Sequence, residues 1–135
     1  MKKLIPLFIL LIAIISCSKE SEENFNNPII GSWKLTEILS DPGDGSGTYN
    51  PIESNKLLTF NVNGSVISNG SLCTMSIETG TWDSGTWSLN DSSIIISDCF
   101  DSQLMIYFKL EGKTLELFYP CIEACGMKFI KMANY

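Results

Sequence analysis

The sequence predicts an all-β fold: about eight short antiparallel strands in a meander, closed into a barrel or folded as a sandwich. Three observations point there. Apolar and polar residues alternate over short stretches, turn signals recur about every 8–12 residues, and no helical period persists beyond the N-terminal run. Closure into a barrel would remove the exposed sheet edges that invite aggregation.

Each element follows from its residues. Residues 29–39 form the first expected strand, carrying Trp33, Leu35, Ile38 and Leu39. Residues 41–54, DPGDGSGTYNPIES, are rich in Gly, Pro and Asp and read as a loop. Residues 56–62 alternate, with Leu58, Phe60 and Val62 on one face. Asn63-Gly64 is a hairpin signal, and both residues are expected at positive φ. A strand from Ser65 then runs to a break at Asn69-Gly70. Residues 80–89 hold the next strand, in which Gly80-Thr81-Trp82 recurs as Gly85-Thr86-Trp87. In a regular strand that odd spacing puts the two indoles on opposite faces; a glycine bulge is the alternative, and Trp87 is expected inward beside Leu89. Residues 93–97 follow the Asn90-Asp91-Ser92 turn. Residues 103–110 place Leu104, Ile106, Phe108 and Leu110 on one face, and the Glu111-Gly112-Lys113 turn leads into residues 114–119. Residues 126–132 are the last strand.

The N-terminus is of another kind. Lys2 and Lys3 precede an apolar run over residues 4–15, too short for a bilayer core that needs about 20 residues. A basic start, a short apolar centre and a small residue before the cut describe a secretory signal peptide. Ile14-Ile15-Ser16-Cys17 resembles the lipobox of bacterial lipoproteins, in which the cysteine is diacylated and the signal removed. The expected organisation is therefore a lipoprotein signal peptide over residues 1–16, an acidic lipidated tether over 17–28 and a β-barrel domain over 29–135. Acyl chains on Cys17 would bind the membrane at about 0.8 kcal/mol per buried CH₂. Ser18, rather than an aspartate, follows the cysteine, and Ser18-Lys19-Glu20 with Glu22 and Glu23 resembles the export tags of surface-exposed lipoproteins. The expected address is the outer membrane of a bacterial cell envelope, facing outward. A polar, acidic segment of this kind also serves as a solvated tether.

Cleavage after Ser16 leaves 119 of the 135 residues, enough for one core, and moves the net charge from −6 to −8 as Lys2 and Lys3 depart. The chain has no histidine and no arginine. Nucleic-acid binding needs clustered cations and is discounted. Histidine general-base chemistry, histidine metal ligation and bidentate arginine recognition of phosphate have no residues to perform them. No catalytic residue, metal or cofactor is assigned, and the chain is read as a non-enzyme.

Gly31-Ser32-Trp33 opens the first expected strand and resembles the Gly-x-Trp signature of lipocalins. LLTFNVNGSV (57–66), GTWSLNDSSIIIS (85–97) and KLEGKTLELFY (109–119), in that order, resemble the small bacterial lipocalin-like lipoproteins. The resemblance spans residues 29–132. It implies an eight-stranded antiparallel up-and-down barrel, open at one end, in which Gly31 and Trp33 close the other. In such a barrel the cup holds small apolar molecules.

Cys73, Cys99, Cys121 and Cys125 are even in number in an exported chain, which favours disulfides. In an up-and-down barrel all four fall at the end carrying the longest loop. The preferred pairing is Cys73–Cys99 with Cys121–Cys125, since the second closes a single hairpin loop. Crossed pairs and a tetrathiolate zinc site are the alternatives. Residues 41–54 are expected either to lie over the mouth, with Tyr49 as a gate, or to form a mobile solvated loop. Tyr49, Trp87, Phe60 and Phe108 are the candidate ligand-binding residues. So many bulky inward residues favour a largely filled interior with a shallow pocket at the mouth. The expected role is a membrane-anchored module binding a small apolar or amphipathic molecule. The alternative is a filled barrel that meets an envelope protein partner and has no ligand.

Overall fold

Strands with one apolar face must bury that face, and a sheet closed on itself does so while leaving no edge. The computed structural model describes residues 27–133 and has this form. The expected signal peptide, Cys17 and the tether as far as residue 26 lie outside the described residues. The strands are β1 (Gly31–Ser40), β2 (Tyr49–Pro51), β3 (Leu57–Phe60), β4 (Ser65–Ser68), β5 (Asp83–Ser88), β6 (Ser93–Cys99), β7 (Ser102–Glu111), β8 (Thr114–Phe118) and β9 (Cys125–Lys131). Their order in the sheet is β2-β1-β3-β4-β5-β6-β7-β8-β9, and β1 also pairs with β9, which closes the barrel.

The wall has eight staves because β2 and β3 share one. Both pair with the same edge of β1, β2 opposite Glu37, Ile38 and Leu39, and β3 opposite Gly31, Ser32, Trp33 and Lys34. Between them the Ile52 amide donates to the Thr36 carbonyl (2.9 Å) and the Leu35 amide to the Lys56 carbonyl (3.0 Å). Residues 53–55 step out of the ladder. The segment expected as a loop over 41–54 thus supplies part of the wall.

Alternation sets the core. Trp33 and Leu35 of β1, Leu58 and Phe60 of β3, Val66 of β4, Ile94 and Ile96 of β6, Ile106 and Phe108 of β7, Leu115 and Leu117 of β8, and Met127 and Phe129 of β9 are all buried. Two inward expectations fail. Val62 falls in the turn after β3 and Leu89 in the turn after β5, where the period of two no longer applies, and both are exposed. Trp87 is half-buried and packs inward; Trp82 points to solvent.

The two ends differ. The hairpins after β3, β5 and β7 gather at one, the turn end, with the start of β1 and the finish of β9. There the Trp33 indole N–H donates to the Ile29 carbonyl (2.7 Å), and the Lys131 ammonium lies 5.2 Å from its ring centroid. The first hairpin is not the two-residue turn that Asn63-Gly64 suggests. The Gly64 amide bonds to the Asn61 carbonyl (3.1 Å), and only Gly64, at φ 83°, is left-handed, giving a type I turn closed by a left-handed glycine. The long connections over residues 41–48, 69–82 and 119–124 meet at the other end, the loop end, with the β6–β7 turn.

Candidate functional site

The open mouth of such a barrel is at the loop end, and residues 69–82 cross it. The 41–54 segment, expected as the cover, does not cross it: part is β2, and residues 41–47 wind around the carboxylate of Asp41 at the rim. That carboxylate accepts from the amides of Gly43 (2.7 Å), Asp44 (3.1 Å), Gly45 (3.1 Å) and Gly47 (2.8 Å). Those amides, Gly47 foremost, hold the Asp41 pKa below the usual carboxylate value.

The cover is fastened at several points. Leu72 is fully buried in the hydrophobic core. Its amide donates to Asp83 Oδ2 (2.8 Å). Lys56 is buried as well, and its Nζ donates to the carbonyls of Ser71 (2.6 Å) and Ser76 (2.9 Å). Burial pulls the Lys56 pKa down to about 8 against the opposing pull of Asp83. The Asn69 side chain accepts from the Leu57 amide (2.7 Å) and donates to the Asn55 carbonyl (2.9 Å). Gly70 has no room for a Cβ, since the Glu78 carbonyl oxygen occupies that place. Cys73 is bonded to Cys99, with Cα atoms 5.4 Å apart, tying the cover to the end of β6.

Lys56, Leu72 and Asp83 did not emerge from the sequence as site residues. Lys56 had a signal: it is in phase with Leu58 and Phe60, so the alternation that buries them carries its amine inward. Leu72 had none, because a single leucine in an irregular segment has no periodicity to reveal it.

The four expected ligand-binding residues do not meet at a mouth. Phe60 packs edge-to-face on Trp87 (6.0 Å between centroids) and on Phe108 (6.5 Å). The Trp87 indole N–H donates to the Asn61 carbonyl (3.1 Å), which places this trio towards the turn end. Such pairs add about 0.5–1.5 kcal/mol beyond burial, so these rings serve the core. Tyr49 is no gate. Its ring takes the Lys128 ammonium 4.1 Å from the centroid, on the outer face with Glu37 and Glu116. Burial first, then Glu116 and Glu37, push its pKa up to about 12. The hydroxyls of Tyr49 and Tyr119 are buried without a hydrogen-bond partner among the described residues. For Tyr119, burial and then Asp83 raise the pKa. Gly31, at φ 118°, and buried Trp33 stand at the closed end. Cys121 is bonded to Cys125 (Cα atoms 6.1 Å apart), so the four sulfurs are paired two by two. Among the described residues, no three His, Cys, Asp or Glu side chains come together as a metal site.

A cleft of about 670 Å³ opens on the wall between the divided stave and the cover. Lys34 and Thr36 of β1, Ile52 and Glu53 of the step between β2 and β3, and Ile77 and Glu78 of the cover line it. A smaller one, about 340 Å³, lies where β5 and β6 part beyond the Thr86–Ile95 pair. The larger is lined mainly by polar groups with charges of both signs, and Ile52 and Ile77 are the apolar side chains that reach its surface.

A search of curated proteins finds no match. Among solved structures, the chain is similar to a lipocalin-like protein from Bacteroides uniformis at 20% identity and a TM-score of 0.52, over 78% of this chain and 100% of that one. The likeness is one of fold. The sequence model of the lipocalin-like domain matches residues 29–117, most of the barrel described above, and the chain belongs to the lipocalin-like domain family.

Proposed function

We propose that this protein is a lipid-anchored, non-enzymatic binding module of the bacterial outer membrane that takes a small amphipathic molecule in the cleft between the divided stave and the cover. The observation that carries the reading is the cleft itself: about 670 Å³, within the range of small-molecule sites, beside an interior whose inward side chains are buried against one another. Ile52 and Ile77 would take the apolar part, and Lys34 or the pair Glu53 and Glu78 the polar head. The anchor rests on the Ile14-Ile15-Ser16-Cys17 motif and the acidic tether.

Titration with the fluorescent amphiphile N-phenyl-1-naphthylamine tests the cleft. Saturable binding that Ile77→Asp weakens at least tenfold supports the reading; identical titrations for both proteins overturn it. Mass spectrometry of protein extracted from its own membrane tests the anchor, and an unacylated Cys17 overturns that part.

The filled core favours a second reading, in which the barrel holds no ligand and presents its loops to an envelope protein. Failure of every amphiphile to bind, with the fold intact, selects it.

A further inference from the structure

Large apolar side chains gathered in water at one end of a domain mark an interaction surface, whereas single ones scattered over a surface are ordinary. Three gather in this way at the loop end: Trp82 in the cover is 74% exposed, Phe100 in the β6–β7 turn 79% and Ile122 in the β8–β9 loop 100%. Phe100 also adopts a left-handed backbone at φ 54°, followed by Asp101 at φ 64°. Bulky residues rarely sit there, and glycine or asparagine would suit the turn better. Strain of this kind marks a side chain kept for what it meets. Both disulfides stand beside these tips: Cys99 precedes Phe100, and Cys121 and Cys125 bracket Ile122. The tips are thus displayed on tethered loops, which lowers the entropy lost on association.

The charge around them is of one sign. Asp44, Asp98, Asp101 and Glu123 are exposed at this end, with Asp41 beside them. Among the described residues the lysines that reach solvent lie elsewhere, Lys109, Lys113 and Lys131 at the turn end and Lys34 and Lys128 on the wall, while Lys56, at this end, is buried beneath the cover. Anionic lipid headgroups would be repelled from such a rim, whereas a cationic surface would be drawn to it.

We infer that the loop end is a docking surface for a basic protein partner, one that offers apolar pockets to Trp82, Phe100 and Ile122 and Lys or Arg side chains to the acidic rim. This surface is separate from the small-molecule cleft and does not depend on it. The chain enters β1 at the turn end, so the tips project away from the N-terminal side.

The test uses the full-length chain and three synthetic peptides of equal length: a Lys/Leu amphipathic peptide, an all-Lys peptide and a Glu/Leu peptide. Binding is read by anisotropy, with vesicles of phosphatidylglycerol and of phosphatidylcholine as membrane probes. Expected is saturable binding to Lys/Leu, at least tenfold weaker for all-Lys and undetectable for Glu/Leu. The triple variant Trp82→Ser, Phe100→Asn, Ile122→Ser should weaken Lys/Leu binding tenfold or more, and Asp98→Asn with Asp101→Asn should reduce its salt dependence. Phe100→Asn alone should weaken binding while leaving the thermal midpoint unchanged or higher, which a merely structural side chain would not do. Tyr107→Ser, on the wall, should leave affinity unchanged. Equal affinity of wild type and triple variant, equal binding of Lys/Leu and Glu/Leu, no binding at all, or vesicle association that depends on the three tips would each overturn the inference.

Discussion

The turn end and the loop end of this barrel are closed by different physics. At the turn end, short hairpins bring neighbouring strands together, and Ile29, Trp33, Phe60, Trp87 and Phe108 fill the space with apolar contact and a few indole hydrogen bonds. At the loop end the connections are long, and the apolar burial of Leu72, Ile96, Cys99 and Met127 is joined by a disulfide, a buried ammonium and an aspartate that hold the cover. Packing is non-directional and tolerates little loss of volume. Polar and covalent fastenings are few and directional, and each can be removed singly. One end should therefore behave as part of the global fold and the other as a separable unit.

The sharpest way to break this contrast is at the turn end. Trp33→Ala removes a fully buried indole and its bond to Ile29, and is expected to cost about 3–5 kcal/mol in guanidinium unfolding. A loss under 1 kcal/mol would mean that this end is not closed by packing. At the loop end, Cys73→Ser with Cys99→Ser is expected to cost about 2–4 kcal/mol. Hydrogen exchange should localise the effect: amides of residues 69–82 should lose protection, while the turn after β3 should keep it. Uniform loss of protection would erase the distinction between the ends.

Lys56→Met probes the buried ammonium. Its substitution leaves the Ser71 and Ser76 carbonyls without their donor, at about 1–3 kcal/mol near neutral pH. The folded-state pKa, about 8, lies below the usual lysine value, so the unfolded chain holds the proton more tightly between the two. Folding stability contributed by this group should rise with pH across that window, since the unfolded state there binds more protons. Subtracting the Lys56→Met profile from that of the wild type isolates the effect, and a flat difference would show that the amine is not buried when charged. The smallest effect is a gain. Phe100→Asn relieves a left-handed phenylalanine and should add up to about 1 kcal/mol in urea unfolding.

Where the chain follows a period, sequence and structure agree. Leu104, Ile106, Phe108 and Leu110 were readable as one face because each is two residues from the next, and the sheet buries that face to differing depth. The hairpin after β7 was readable from Glu111-Gly112-Lys113, whose glycine sits at φ 58°. The site was legible only in part. Placing the long connections and all four cysteines at one end follows from counting strands, and the structure has them there. What crosses the mouth does not follow, because residues 41–54 and 69–82 are both irregular and either has the length. Tyr49 looked like a gate because its segment was read as a loop. The pairing of β2 with β1 carries it onto the wall beside Lys128 instead.

The residues alone determined the all-β class, the meander and the clustering of the cysteines, because these depend on side-chain alternation and turn chemistry between near neighbours; the closing role of Trp33 came only with the resemblance to lipocalins. Tertiary structure decided which loop covers the mouth, where the buried lysine ends and which aromatic rings belong to the core. Those outcomes depend on contacts between segments distant in sequence, and no local pattern encodes which of several irregular segments will find its partners first.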